Sequence, residues 1–282
     1  MTVQTQPFTV GDFQCIAIND GDLKMGPTSI FFAGASPHEL DSALKQYNLA
    51  SDGLNLACSC LYINTGKEQI LIDCGSGADS GHEQLGKLFA ALEQADISTE
   101  NITHVLLSHG HWDHVGGCSD NAGNLRFSNA RFAMVQGEYD FWMNETPDSD
   151  SDTLHMTQIR LKAINPHLDF IDINEEILSG VRAIETPGHT MHHISFEISS
   201  NGETLICIMD LMDHPLQVEY PQWGAEWDID HQKSIESREA ILKLATEKDA
   251  LIHGFHFPFP GLGRISQKDD KNVWVALVES EN

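Results

Sequence analysis

Apolar and polar positions follow two periods along the chain. Short runs rich in Ile, Leu, Cys and Tyr at 13–18, 57–63 and 69–73 predict strands, the last two joined by the turn-like Asn64-Thr65-Gly66-Lys67. The period then lengthens, because Leu85, Leu88, Phe89, Leu92 and Ala95 recur at helical spacing across 84–95. Residues 105–107 predict a short buried strand, 129–135 another strand, and 138–143 the beginning of a helix. The second half repeats this rhythm with strands at 181–186, 193–198 and 205–209, and Asn201-Gly202 forms a hairpin turn between the latter two. Asp228 or Asp230 caps a helix running to about Lys248, with Ile235, Ile241, Leu242 and Ala245 on its apolar face. Strands at 251–252 and 273–278 complete the pattern. Two sheets covered by helices bury both halves, and loops at one sheet edge then bring distant polar residues together.

Composition narrows the class. With 282 residues and 41% hydrophobic content, the chain can bury one large core or two fused halves. We read 1–282 as a single domain made of two similar half-domains. Sixteen Lys and Arg face 42 Asp and Glu, a formal charge of -26, so the outer field repels nucleic acid and anionic membrane surfaces. No stretch approaches membrane-spanning length, and residues 1–12 lack a basic region followed by an apolar run, so a cytoplasmic location is expected. Cys15, Cys58, Cys60, Cys74, Cys118 and Cys207 lie in mostly apolar segments with no CxxC pair. They read as reduced, buried side chains, not as disulfides or a thiolate zinc site.

The chemistry is concentrated in LLSHGHWDHVGG, which sets His109, His111, Asp113 and His114 within six residues directly after a strand. Imidazole and carboxylate groups at this density suit divalent ions, and enough of them are present to hold two neighbouring ions. Other strand ends supply His189 in ETPGHT, Asp210 in CIMDLMD, and His253 and His256 in LIHGFHFPFPG. A solitary His in any of these places reads as an ordinary core or surface group; placement at four strand ends points to a site.

With HGHWDH in place, the chain resembles the metallo-beta-lactamase fold superfamily, and the resemblance runs from the first strands to Val278. It implies an α+β fold, a four-layer αββα sandwich with metals at the sheet edge. It also implies that His109, His111 and His189 bind one metal, that Asp113, His114 and His256 bind the other, and that Asp210 bridges them. HFPFPG and MDLMDHP look like the branch containing methyl parathion hydrolase and related lactonases, which favours His256 over His253 as ligand. Asp73 in LIDCG resembles a carboxylate that orients a ligand imidazole, although capping its own Cys-Gly turn explains it equally well.

Two metals roughly 3.5 to 4 Å apart share a water, generate hydroxide near neutral pH and polarise an electrophilic oxygen. Asp210 then holds the pair together, and Asp113 collects the proton of the nucleophile. Zinc is the expected ion, with manganese, cobalt and iron compatible with the same ligands. Relatives with diiron redox chemistry carry a carboxylate where this chain has His111, so hydrolysis is expected instead. Trp112, Trp142, Trp223, Trp227, Phe255, Phe257 and Phe259 are candidates for apolar walls around a small neutral ester or lactone, and a phosphotriester is the alternative substrate. Related lactonases often carry Tyr three residues beyond the bridging Asp, where this chain has Asp213. The missing basic track argues against RNA cleavage, and the missing basic stripe against glutathione thioesters. A catalytically silent metal-binding protein is the alternative outside enzymes. The resemblance further suggests a homodimer, with Phe31, Phe32 and Trp142 as interface or pocket-wall candidates.

Overall fold

A computed structural model of the chain describes residues 3–145, 152–269 and 271–277. One seven-stranded sheet contains β1 (Gln4–Val10), β2 (Phe13–Met25), β3 (Leu54–Asn64), β4 (Gln69–Ile72), β5 (His104–Leu106), β6 (Arg131–Met134) and β7 (Leu168–Phe170), each beside its neighbour in sequence. The other contains β8 (Glu176–Leu178), β9 (Val181–Glu185), β10 (Ile194–Ser200), β11 (Glu203–Cys207), β12 (Leu251–His253), β13 (Leu262–Lys268) and β14 (Lys271–Ala276), again in sequential order. Strands β1 to β4 pair antiparallel and β4 to β7 parallel. In the second sheet β11 and β12 are parallel and the other pairs antiparallel. The helices are α1 (Pro37–Gln46), α2 (Leu88–Gln94), α3 (Trp112–Val115), α4 (Gln136–Asn144), α5 (Asp152–Ile164), α6 (Leu216–Glu219) and α7 (His231–Glu247).

Strand periodicity assigns the layers. Along β11, Leu205 and Cys207 enter the core shared by the two sheets, whereas Ile206 points the other way and packs with Ile241, Leu242 and Ala245 of α7. In β12, Leu251 enters the shared core and Ile252 faces α7. Full burial of each such aliphatic side chain contributes about 1.5–3 kcal/mol. On the first sheet, Leu88, Ala91 and Leu92 bring α2 against β2. The result is an α+β sandwich of two mixed sheets with helices outside.

The predicted strands are present with shifted ends, and the Asn201-Gly202 hairpin forms with positive φ at both residues, as a tight turn of this kind requires. Helix α2 begins at Leu88 instead of near residue 84, because Gly86 takes φ +76 and the Asp20 carboxylate accepts from the Gly86 and Leu88 N–H groups. Asp230, not Asp228, caps α7 by accepting from Lys233 N–H. Strands β2 and β3 extend to Met25 and back to Leu54, and β1, α1, α3, α5, β7, β8, α6 and β13 were not predicted. The strand expected over 273–278 occupies Lys271–Ala276, and Val278 lies outside the described residues. All six cysteines are buried and free. Among the described residues, no helix is long and apolar enough to cross a membrane.

Candidate metal centre

Strand direction explains how remote residues meet. Strands β4 and β5 run parallel, and β9, β11 and β12 share one direction in the other sheet, so their C-terminal ends gather at one edge of the sandwich. His109 and His111 follow β5, and the single turn of α3 presents Asp113 and His114. His189 follows β9, Asp210 follows β11 and His256 follows β12. Met209, beside Asp210, has φ +48, an uncommon conformation for a side chain of its size that fixes the direction of the following residue.

All seven predicted ligands meet here. His111 Nδ1 lies 2.9 Å from His109 Nε2 and 2.8 Å from His189 Nε2. Asp210 Oδ2 lies 3.7 Å from His109 Nε2, 3.4 Å from His189 Nε2 and 3.2 Å from His256 Nε2. Asp210 Oδ1 is 3.0 Å from His114 Nε2, and Asp113 Oδ2 is 3.5 Å from His256 Nε2 and 3.9 Å from His114 Nε2. Ligand atoms of His109, His111, His189 and Asp210 all lie within 4.8 Å of one another, as do those of His114, Asp210 and His256.

The donor set fits cations. His256 Nδ1 donates to Ala57 O, which leaves a lone pair on Nε2 facing the carboxylates of Asp210 and Asp113. That arrangement repels unless a proton or metal ion lies between the groups. His114 Nε2 and Asp210 Oδ1 are sealed from solvent, yet neither makes an aligned hydrogen bond. Burial alone lowers the His114 and His256 imidazoles, but Asp210 and the other nearby carboxylates outweigh it and push both up to about 10. Burial and neighbouring imidazoles instead hold His109 and His111 well below the ordinary histidine range, in the neutral form that ligates metals. Burial raises the Asp210 carboxyl, yet His114 and His256 bring it well below its ordinary value.

Several supporting residues escaped the sequence reading. Asp73 was legible: its Oδ2 lies 2.6 Å from His114 Nδ1, and the carboxylate also accepts from Ser108 N and Oγ, so it orients the imidazole. Asp228, considered as a helix cap, instead meets His189 Nδ1 at 3.3 Å, and Arg238 of α7 donates to its other oxygen at 2.6 Å. Glu138 is buried beneath the His109–His111 loop, with a 3.0 Å bond from Gly110 N–H. No short spacing links these residues to the motif, so only the fold brings them there. Cys58 comes within 4.8 Å of Asp113 and His256, but burial pushes its thiol well above the ordinary value, which disfavours the ligating thiolate. His253 faces the other sheet, where Nε2 meets Ser59 Oγ at 3.0 Å.

The site opens into a cavity of about 580 Å³. Trp112, Trp142 and Trp227 contribute walls, with Leu23, Met25 and Leu56 on the extended β2–β3 arm. Trp223, Phe255 and Phe257 are buried packing residues, although Phe255 also stacks on His114 at 3.9 Å, and Phe259 lines a different cavity. That second cavity is larger, about 870 Å³, but contains none of the seven metal-ligand candidates. Asp213 borders the catalytic-edge cavity, and burial followed by repulsion from Asp210 pushes its carboxyl up to about 7. Phe31 and Phe32 are buried with Trp223 inside their own chain, which removes them as interface or pocket-wall candidates.

Residues 54–256 match the metallo-beta-lactamase superfamily, and the chain belongs to that family. It is a metal-dependent hydrolase of this fold. Metallo-beta-lactamase domain-containing protein 1 of Xenopus laevis is 27% identical over 84% of this chain and 88% of that protein. An N-acyl homoserine lactonase of Bacillus thuringiensis is 25% identical over 55% of this chain and 64% of its own length. Among solved structures, AidC, a dizinc quorum-quenching lactonase in complex with a product, superposes with TM-score 0.91 at 29% identity, covering 98% of both chains. The hydrolase AbOPH superposes with TM-score 0.88 at 27% identity, covering 99% of both.

Proposed function

We propose that the chain hydrolyses small neutral lactones or carboxylic esters at a pair of divalent ions. The observation that carries this reading is the two groups of donors meeting at Asp210. In this reading His109, His111 and His189 would hold one ion and Asp113, His114 and His256 the other, with the Asp210 carboxylate lying between the two sets. Two ions held there supply hydroxide near neutral pH and polarise the electrophilic oxygen. Asp113 faces the same pocket and accepts the nucleophile's proton, while Asp73 and Asp228 keep two ligand imidazoles in register. Zinc is the proposed ion, supported by the nitrogen and oxygen donor set and by the dizinc neighbour, with manganese, cobalt or iron also chemically compatible.

The apolar walls support a neutral substrate with an apolar portion, and the lactonase relatives favour a lactone. The six buried free cysteines support a reducing cytoplasmic setting. A homodimer rests on family resemblance alone; light scattering of a monomer at low and moderate salt rejects it. For the reaction, a metal-replete preparation is tested on lactones, aryl esters and phosphotriesters. Turnover of the carbonyl substrates is expected; strong phosphotriester turnover with negligible action on the others replaces this reading with organophosphate hydrolysis.

A further inference from the structure

We propose that Glu138 is the positioning residue of the first metal site, clamping together the two loops that supply its imidazoles. This inference rests on the two-metal reading above. Glu138 is fully buried on α4, and its Oε1 accepts from Gly110 N–H at 3.0 Å and from the Trp142 indole N–H at 2.6 Å. Its Oε2 accepts from Thr190 Oγ1 at 2.7 Å. Gly110 lies between His109 and His111, and Thr190 directly follows His189. One carboxylate therefore reaches both chain segments whose ring nitrogens converge at 2.8 and 2.9 Å.

The chemistry of the three donors separates this role from simple packing. All are uncharged, so no ion pair with them offsets desolvation of the carboxylate, and three hydrogen bonds must satisfy it. Further bonds bind the same loop in place: Thr157 Oγ1 donates to Gly110 O, and the Trp142 ring meets His111 edge to face at 5.3 Å. A Cβ on Gly110 would fall 2.3 Å from that ring, so the loop and Trp142 approach as closely as glycine permits. No corresponding bond reaches His114 or His256, which Asp73 and Ala57 hold instead. Glu138 thus acts on one ligand set and not the other.

The test is a cobalt titration of metal-stripped full-length protein, followed by calorimetry and by the visible spectrum, with circular dichroism checking the fold. Wild type is expected to bind two ions. Glu138→Ala should weaken one by about 10- to 100-fold and leave the other within about 3-fold. Glu138→Gln should restore most of that affinity, because its amide oxygen still accepts the two N–H groups and its NH2 can donate to Thr190. Thr190→Val, which removes only one arm, should weaken the same ion less. If Glu138→Ala does not fold, that graded pair decides the question. Unchanged affinities in Glu138→Ala and Thr190→Val, or equal weakening of both ions in either, overturn the clamp while leaving the two-metal reading intact. Fewer than two ions in wild type overturn that reading and the clamp with it.

Discussion

Asp210 combines a fixed backbone direction with two imidazole groups on either side, so its carboxylate is the residue through which the two halves of the centre communicate. Replacing it with Ala should lower metal uptake from two ions toward one and remove most turnover, whereas Asp213→Ala should keep both ions and shift KM. Metal analysis paired with kinetics checks this, and two ions with ordinary activity in the Asp210 variant contradict it. His253 predicts a pH effect away from the ligands. Burial lowers its pKa from 6.5 to about 4, so the unfolded chain binds the extra proton between those values and stability falls as pH falls through 6.5. The difference reaches about 2 kcal/mol at pH 5. With chelator present throughout, urea unfolding should show a weaker pH dependence for His253→Gln than for wild type; equal slopes reject the assignment. The seven proposed ligands were legible because six of them lie in a local motif or beside turn residues that follow a strand, and Asp210 follows the apolar run of β11. Glu138, Asp228 and Arg238 were not, because their roles depend on contacts across 28, 39 and 10 residues.

The elements divide into those written by local periodicity and those written by context. Strands β4, β5, β11 and β12 are apolar enough to be read directly, and their parallel pairing determines where the ligands emerge. The β2–β3 arm carries a weak strand signal because Leu23, Met25 and Leu56, which line the cavity, alternate with Asp22, Lys24 and Asn55, which do not. Helix α1 carries a readable signal that the apolar pattern concealed: Ser36 and Glu39 form a reciprocal capping box around Pro37. Helix α7 explains why two nearby aspartates do different work. Asp230 caps its first turn, so Asp230→Ala should cost about 1 kcal/mol of stability and leave metal affinity nearly unchanged. Asp228→Asn should weaken the His189 ion by about 10- to 100-fold and, by leaving the buried Arg238 guanidinium without its carboxylate, cost about 3–5 kcal/mol of stability as well. Chemical unfolding alongside metal titration separates the two; identical profiles contradict the division.

At the scale of the whole molecule, an acidic exterior surrounds a centre that needs cations. The formal charge of -26 disfavors polyanions outside, whereas bound divalent ions reverse the local sign within a cavity of about 580 Å³ bounded by Trp and Leu side chains. The two sheets are held together at this edge, where Ser59 N–H donates to Phe255 O and Ile194 N–H to Ser108 O, so each sheet's backbone braces a ligand-bearing loop of the other. Family membership and the αββα layering were legible from HGHWDH and the repeated strand–helix rhythm. Substrate identity was not, because wall shape depends on side chains from separated elements such as Trp112, Trp142 and Trp227. In the proposed centre, one ligand set on each side of Asp210 holds one divalent ion. Anomalous scattering from crystals of metal-loaded protein tests this most directly. Two peaks per chain are expected, one among His109, His111 and His189 and one among Asp113, His114 and His256. A single peak, or a peak coordinated by His253 with His256 turned away, contradicts it.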